Sequence, residues 1–505
     1  MEEQTVTINP AKKSLYGYQQ KDIDTIFQRI KDNPNGFNAL YQLPTGGGKT
    51  VIFSELARRY IKETGKKVLI LTHRIELCAQ TSKMLDGFDV DNYIINSDVK
   101  ELEVDNHHDC FVAMVETLNN RLSDEALGFD NLGLVIIDEA HYNSFTKLFK
   151  FFDKCFLLGV TATPLSSNAS LPMKDNYDEL LTGEPIPSLI EKDVLARAET
   201  HCINVGLGSL KVGISGDYTV KSSEVLYSND DMQEKLFKAY EEKAKGKKTL
   251  IFNNGIQTSK EVYYTFKSKG YDIRHLDNKC NKQERAEILA WFKVTPNAIL
   301  TSVSILTTGF DEPTVDVIIL NRATKSLTLY YQMIGRGSRW LKEKTTFSII
   351  DLGNNVARFG LWESELDWHN IFLNPDKYLE SILSDFELEK SFVYELPEEI
   401  KPYFPSNDNI HFDVKGEYAL AIKERRKPRT VIDFSIDNHV EICLENASSR
   451  IEAKMLSKLL EDSVTCRIKR YSYCICRSSK NYLQWLKTDY YQKLNEKLAD
   501  RYKEP

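Results

Sequence analysis

Apolar residues fall in strand-length blocks along the first 360 residues, and helix-spaced stretches separate the blocks. FNALYQL at 37–43, KVLILTH at 67–73, NLGLVIID at 131–138 and CFLLGVTAT at 155–163 are nearly continuous apolar runs. FSELARRYIKE, between the first two, has helical spacing instead. The texture restarts with KKTLIFNN at 247–254, YDIRHLD at 271–277, NAILTSV at 297–303, VDVIILN at 315–321 and TTFSIIDL at 345–352. EVYYTFKSK, RAEILAWFK and LTLYYQMIG are the helix candidates between them. Strands that are apolar on both faces and alternate with helices predict parallel sheets covered on both sides. Two α/β units are therefore expected, over 1–200 and 201–362, with 170–200 as a connection. The pattern ends near 365. A smaller α+β domain is expected over 363–505, and Tyr482, Trp485, Leu486 and Tyr490 predict a helix over 480–503.

Composition narrows the class. With 505 residues, 42% hydrophobic and 28% charged, the chain has the make-up of an ordinary globular protein of about three domains. Its apolar runs are too short to span a bilayer, so no membrane partner is expected. MEEQTVTINP lacks the apolar core of a secretory leader, and the nine cysteines form no CxxC pair. A cytoplasmic protein with reduced thiols is the expectation. The net charge of −7 does not suggest a general polyanion binder. Residues 420–505, however, hold 18 Lys and Arg against 12 Asp and Glu, so the tail is basic on an acidic chain.

Two motifs carry chemistry on their own. PTGGGKT at 44–50 follows a predicted strand and precedes a predicted helix. Backbone N–H groups of Thr45, Gly46, Gly47 and Gly48 can cradle phosphate oxygens, and glycine lets them approach. Lys49 can reach the β- and γ-phosphates of ATP, and the Thr50 hydroxyl can hold Mg²⁺. LVIIDEAH at 134–141 ends a buried strand in two carboxylates. Asp138 is placed beside the Mg²⁺, and Glu139 orients and deprotonates the attacking water.

The loop together with Asp138-Glu139-Ala140-His141 resembles helicase superfamily 2, of the DEAH-box kind, whose loop has the form PTGxGKT. The resemblance spans roughly residues 14–355 and implies two tandem RecA-like domains with ATP between them. Tyr18-Gln19-Gln20 is similar to the family's adenine-reading segment, with Gln19 as the base contact. LTHRIELCAQ at 71–80 and VETL at 115–118 resemble strand-end motifs that touch the nucleic-acid backbone, which makes Arg74 and Thr117 candidate contacts. Thr161-Ala162-Thr163 matches the motif coupling ATP state to the nucleic-acid path. In the second unit, LIFNNGIQTS at 250–259 resembles the opening motif. TTGFDEP at 307–313 places Gly309 and Asp311 near the ribose and the cleft. QMIGRGSR at 332–339 supplies Gln332, Arg336 and Arg339. A guanidinium from a second domain stabilises charge on the γ-phosphoryl oxygens once the cleft closes. The texture is similar to DNA-repair and restriction-type members, with RadD-like helicases as one subgroup.

The tail offers less. Cys443, Cys466, Cys474 and Cys476 lack paired spacing, so no zinc site is expected. KERRKPR at 423–429 and RIKRYSYCICR at 467–477 are basic. Arg467, Lys469 and Arg470, interleaved with Tyr471 and Tyr473, are candidate nucleic-acid contacts, or else the charged guard of an edge strand. Asp433 with Glu452 and Lys454 has the residue types of a metal nuclease, on a segment that reads as helix. The expected function is an ATP-dependent helicase or translocase, favouring DNA. RNA helicase, motor subunit of a restriction or defence assembly, and ATP-switched clamp are the alternatives. The tail is also a candidate surface for a protein partner.

Overall fold

The computed structural model describes residues 15–501 except 35, 96–106, 124–128, 169, 204, 215, 304–305, 307–309, 383, 385–387, 389–395, 398, 408–409 and 476–479. Two parallel sheets organise the first three-quarters of the chain. The first contains β1 (Phe37–Gln42), β2 (Lys67–Thr72), β3 (Asn92–Ile95), β4 (Cys110–Met114), β5 (Leu132–Asp138), β6 (Phe156–Thr161) and β7 (Glu179–Thr182), in the order β3-β4-β2-β5-β6-β1-β7. The second contains β8 (Arg197–Cys202), β9 (Thr249–Asn253), β10 (Ile273–Leu276), β11 (Ile299–Ser302), β12 (Val317–Asn321) and β13 (Thr346–Asp351), in the order β10-β11-β9-β12-β13-β8. Ladder pairs such as β1–β6, β5–β6 and β12–β9 are all parallel.

Each apolar block of the sequence became a strand. Val68, Leu69, Ile70 and Leu71 of β2 are all fully buried, as are Leu134, Val135, Ile136 and Ile137 of β5. A strand buried on both faces has no polar position, which is why these blocks read as continuous. Four strands escaped that reading, among them the buried β4 (CFVAM). β3 and β7 have only four residues, and β8 (RAETHC) has no apolar pattern. β8 also moves the domain boundary. It pairs with β13 in the second sheet, so the second unit begins by Arg197 rather than at 201, and the supposed connection 170–200 contains two strands and a helix.

The third unit departs from the α+β expectation. The described residues after 363 form helices and no strands. Val414–Lys423, Thr430–Asn446, Arg450–Leu459, Glu461–Cys474 and Lys480–Arg501 pack around Val431, Ile436, Leu456, Val464, Leu486, Tyr490 and Leu494. RIKRYSYC, alternating charge and ring, has strand-like composition but lies on a helix, because Val464, Ile468 and Tyr471 recur at helical spacing and are buried together.

Candidate active site between the two sheets

The carboxyl ends of β1, β6 and β5 lie side by side in the first sheet. The loop 43–48 leaves β1, the pair Asp138-Glu139 ends β5, and Thr161-Ala162-Thr163 ends β6 between them. Two strand spacings therefore separate the loop from the carboxylates, about 10 Å. Leu43 N–H donates to Thr161 O (3.0 Å), tying the loop's start to β6. Gly46 and Gly48 have φ of +96° and +88°, which L side chains rarely adopt. A Cβ on Gly47 would lie 2.8 Å from the Leu43 side chain, and one on Gly48 would lie 2.4 Å from Gln19 Nε2. Backbone conformation and space both require glycine here. The helix Lys49–Thr64 starts at the loop's end, so its unpaired N–H groups and positive dipole end face the same place.

Lys49 Nζ reaches only a backbone carbonyl, Leu43 O, at 3.3 Å. Burial pulls its pKa down, against the opposing pull of Glu139 and Asp138. Glu139 N–H donates to Asp138 Oδ1 at 3.0 Å, and Ala140 N–H donates to Val160 O. Glu139 sits at φ +52°, a strained conformation for a residue with a side chain. Such strain costs on the order of 1–3 kcal/mol and is retained where geometry matters. Burial and the neighbouring Glu139 hold the Asp138 carboxyl above its usual range. For Glu139 burial acts upward too, but Lys49, His141, Arg336 and His73 outweigh it and hold the carboxyl down. Glu139 is thus held anionic, while Asp138 becomes anionic most readily beside a cation. Glu139 Oε2 is buried and has no hydrogen-bond partner among the described residues. The glycine cradle, Lys49, Thr50 and the acids Asp138 and Glu139 together fit a nucleoside triphosphate with Mg²⁺.

The second sheet delivers arginines to this centre. Gln332 lies on the helix Leu327–Ile334, and Arg336 and Arg339 follow that helix. Arg336 is half-buried, with Nη1 donating to Phe310 O at 2.5 Å. Burial pulls its pKa down to about 10, so it stays cationic near neutrality. Arg339 Nε donates to Asp311 Oδ1 at 2.9 Å, and its Nη1 lies 2.8 Å from where a Gly46 Cβ would sit. Gly335 is as tight, since its Cβ would meet the Thr45 side chain at 2.6 Å. Two polar contacts cross the cleft beside them. Gln332 Nε2 lies 3.3 Å from His141 Nε2, and Thr163 Oγ1 donates to Thr328 Oγ1 at 2.8 Å. His141 Nδ1 in turn lies 3.0 Å from Thr161 Oγ1.

Residues 12–166 match the family model "Type III restriction enzyme, res subunit", and 231–341 match "Helicase conserved C-terminal domain". The chain is 29% identical over 341 residues to a 51.5 kDa protein of Lactococcus phage (isolate 7-9), covering 66% of this chain and 69% of that one. It is 30% identical over 359 residues to "Putative ATP-dependent helicase IRC3" of Saccharomyces cerevisiae, covering 67% of this chain and 51% of that one. The chain belongs to helicase superfamily 2, restriction and repair type. Among solved structures, a fragment of an HsdR subunit of a type I restriction enzyme from Vibrio vulnificus YJ016 shares its fold (TM-score 0.52, 22% identity, 66% of this chain and 63% of that one). The superfamily 2 chain spans about half the length of the yeast relative.

Other expected site residues of this superfamily 2 chain fare differently. Gln19 is buried, with Oε1 accepting from Tyr16 N–H (3.0 Å) and Nε2 directed at Gly47 O (3.5 Å). Its amide here braces the phosphate loop. Tyr18, which motif reading left without a role, donates from its hydroxyl to the same Gly47 O at 2.6 Å. Its only sequence signal is its place beside Gln19. Asp311 holds Arg339 through Oδ1 and is otherwise exposed, and Gly309 lies outside the described residues. Arg74 caps the helix Ile75–Asp86 after β2, and Thr117 is in the first turn of Val115–Ser123 after β4. β2 and β4 are neighbours, so both half-buried residues stand on one edge of the sheet.

The tail candidates need correction. Arg467 is 3% exposed, with Nη2 donating to Ile410 O (2.6 Å) and Asn438 Oδ1 (2.9 Å), and Nη1 donating to Ser435 O (3.1 Å). It is a structural arginine that ties helices together and is closed to a phosphate. Tyr471 is equally buried and closed to a base. Arg470 is half-buried. Lys469 lies on the same helix, and the side chains of Lys469 and Tyr473 are outside the described set. Glu452 caps its own helix through Ser448, with Oε2 accepting from Ser448 N–H at 2.7 Å. Asp433 pairs with Lys493 at 3.2 Å, so these acids are engaged in helix contacts. Among the described residues no group of three or more His, Cys, Asp or Glu is placed to hold a metal, and no helix is long and apolar enough to cross a membrane.

Proposed function

We propose that the chain is a nucleic-acid-dependent ATPase that translocates on or unwinds nucleic acid, DNA in preference to RNA. One observation carries the reading. Arg336 and Arg339 of the second domain stand against the phosphate loop and the Lys49–Asp138–Glu139 centre of the first. In that arrangement Lys49 and the loop hold the triphosphate, and Glu139 takes a proton from the attacking water. Arg336 and Arg339 meet the charge developing on the γ-phosphoryl oxygens. Mg²⁺, held by Thr50 and Asp138, would neutralise phosphate oxygens. Because the arginines belong to the other domain, catalysis depends on how the two domains sit. Hydrolysis can therefore be converted into relative motion along a backbone touched by Arg74 and Thr117.

Steady-state ATP turnover with no polymer, single-stranded DNA, duplex, forked DNA and RNA tests this. Stimulation by DNA above RNA is expected. Equal rates in all five conditions would overturn polymer dependence, and RNA above DNA would reverse the preference. A second reading, the motor of a restriction or defence assembly, is supported by the family match over 12–166. In that case the helical domain beyond 396 is the surface that meets a nuclease-bearing partner.

A further inference from the structure

Three aromatic rings in tilted contact lie in a row between the loop that carries Arg74 and the ATP centre. His73, at the end of β2, lies 4.4 Å from Tyr142, centroid to centroid, and Tyr142 lies 4.3 Å from His141. His141 is engaged on the far side. Its Nδ1 lies 3.0 Å from Thr161 Oγ1 and 3.4 Å from Glu139 Oε2, and its Nε2 faces Gln332. His73 differs from the other two. Both its ring nitrogens are buried and have no hydrogen-bond partner among the described residues. Burial pulls its pKa down to about 4, so it is neutral and carries one N–H near neutrality.

An imidazole used only for packing would be better replaced by phenylalanine. Each buried nitrogen without a partner forfeits its hydration, and a ring without nitrogens avoids that cost. The cost is recovered if the N–H finds an acceptor in another state of the molecule. Glu139 Oε2 is also buried without a hydrogen-bond partner among the described residues, and His73 and Glu139 act on each other electrostatically. His73 thus has a buried donor without a partner, Glu139 Oε2 has only the long 3.4 Å contact to His141 Nδ1, and the donor adjoins Arg74 in sequence.

We propose that His73 is a positioning residue: when Arg74 engages a nucleic-acid phosphate, the His73 N–H turns toward Glu139 and, with the Tyr142 and His141 rings, fixes that carboxylate for attack on ATP. This rests on the nucleic-acid-dependent ATPase reading above. Without the polymer that oxygen has only the 3.4 Å contact to His141, and hydrolysis is slow.

The test compares wild type, His73→Phe, His73→Gln and Tyr142→Leu. Each is confirmed folded by its melting curve, and each is assayed for ATP turnover across a titration of single-stranded DNA. His73→Phe keeps the ring and removes the donor. It is expected to lower kcat at saturating DNA at least fivefold while KM for ATP and Kd for DNA stay within twofold. His73→Gln, which restores a donor, should recover part of the loss, and Tyr142→Leu should lower kcat as His73→Phe does. Wild-type kcat in His73→Phe would overturn the proposal and leave the ring as packing. A loss that appears in Kd for DNA alone would overturn it as well, placing His73 in the binding surface. Wild type unmoved by any polymer would instead bring down the functional reading itself, and the inference with it.

Discussion

Lys49→Ala tests the active centre most directly. The side chain supports no core and donates only to Leu43 O, so the variant should melt as wild type does while ATP turnover is lost. Glu139→Gln keeps the shape and removes the proton acceptor. ATP should still bind, as read by fluorescent-nucleotide titration, with turnover lower by about 10²–10⁴. Loss of nucleotide binding in that variant would give Glu139 a structural role instead. Arg339→Ala should leave ATP affinity close to wild type and lower kcat by about 10³–10⁵, the range typical of an arginine finger. Asp311→Ala, which frees Arg339 without removing it, should give a smaller loss in the same direction. Of these residues, Lys49, Asp138, Glu139, Arg336 and Arg339 were legible because phosphate chemistry demands those types in those motifs. The pairing of Asp311 with Arg339 and the hydroxyl of Tyr18 on Gly47 were not legible, since both contacts join residues far apart in sequence.

At the scale of the element, most inner strands were legible because they are buried on both faces, with β4 (CFVAM) an exception. β2, β5, β9 and β12 lie inside their sheets and read as unbroken apolar runs. β8 is an edge strand of alternating half-buried and exposed residues, so no pattern marked it. The helix Glu461–Cys474 reverses the case. Its Arg-Ile-Lys-Arg-Tyr string has the look of a nucleic-acid surface, yet it turns Arg467, Ile468 and Tyr471 inward. Arg467→Ala should therefore destabilise the helical domain, by about 1–3 kcal/mol from the carbonyls of Ser435 and Ile410 left unsatisfied. A denaturant titration would read that shift, and DNA affinity in the folded variant should match wild type. A weakened DNA affinity with unchanged stability would restore the phosphate-contact role.

The whole molecule consists of two catalytic sheets and a helical domain with its own core. Leu388 still packs in the second domain, whereas Leu396, Phe404 and Ile410 belong to the helical core. Ending the chain at 390 should therefore keep polymer-free ATP turnover. Among the described residues it breaks the hydrogen bond from Ser364 Oγ to Cys474 O and uncovers Leu361, which packs on the helical core. If the basic tail meets nucleic acid, the truncated chain should bind DNA more weakly, with the loss largest at low salt. An unchanged affinity across salt concentrations would assign the helical domain to a protein partner instead.

Sequence alone determined the two parallel-sheet units and picked out the residues that the structure gathers at the cleft, for local reasons. A strand buried on both faces must be apolar throughout, and a phosphate cradle must be glycine followed by lysine and a hydroxyl. Only the tertiary structure decided which charges are available to a ligand. Helix 461–474 buries Arg467, the cleft sets Arg339 against Gly46, and the ring stack joins His73 to His141. Exposure and contact depend on how distant segments pack, and no local pattern of residue types records that.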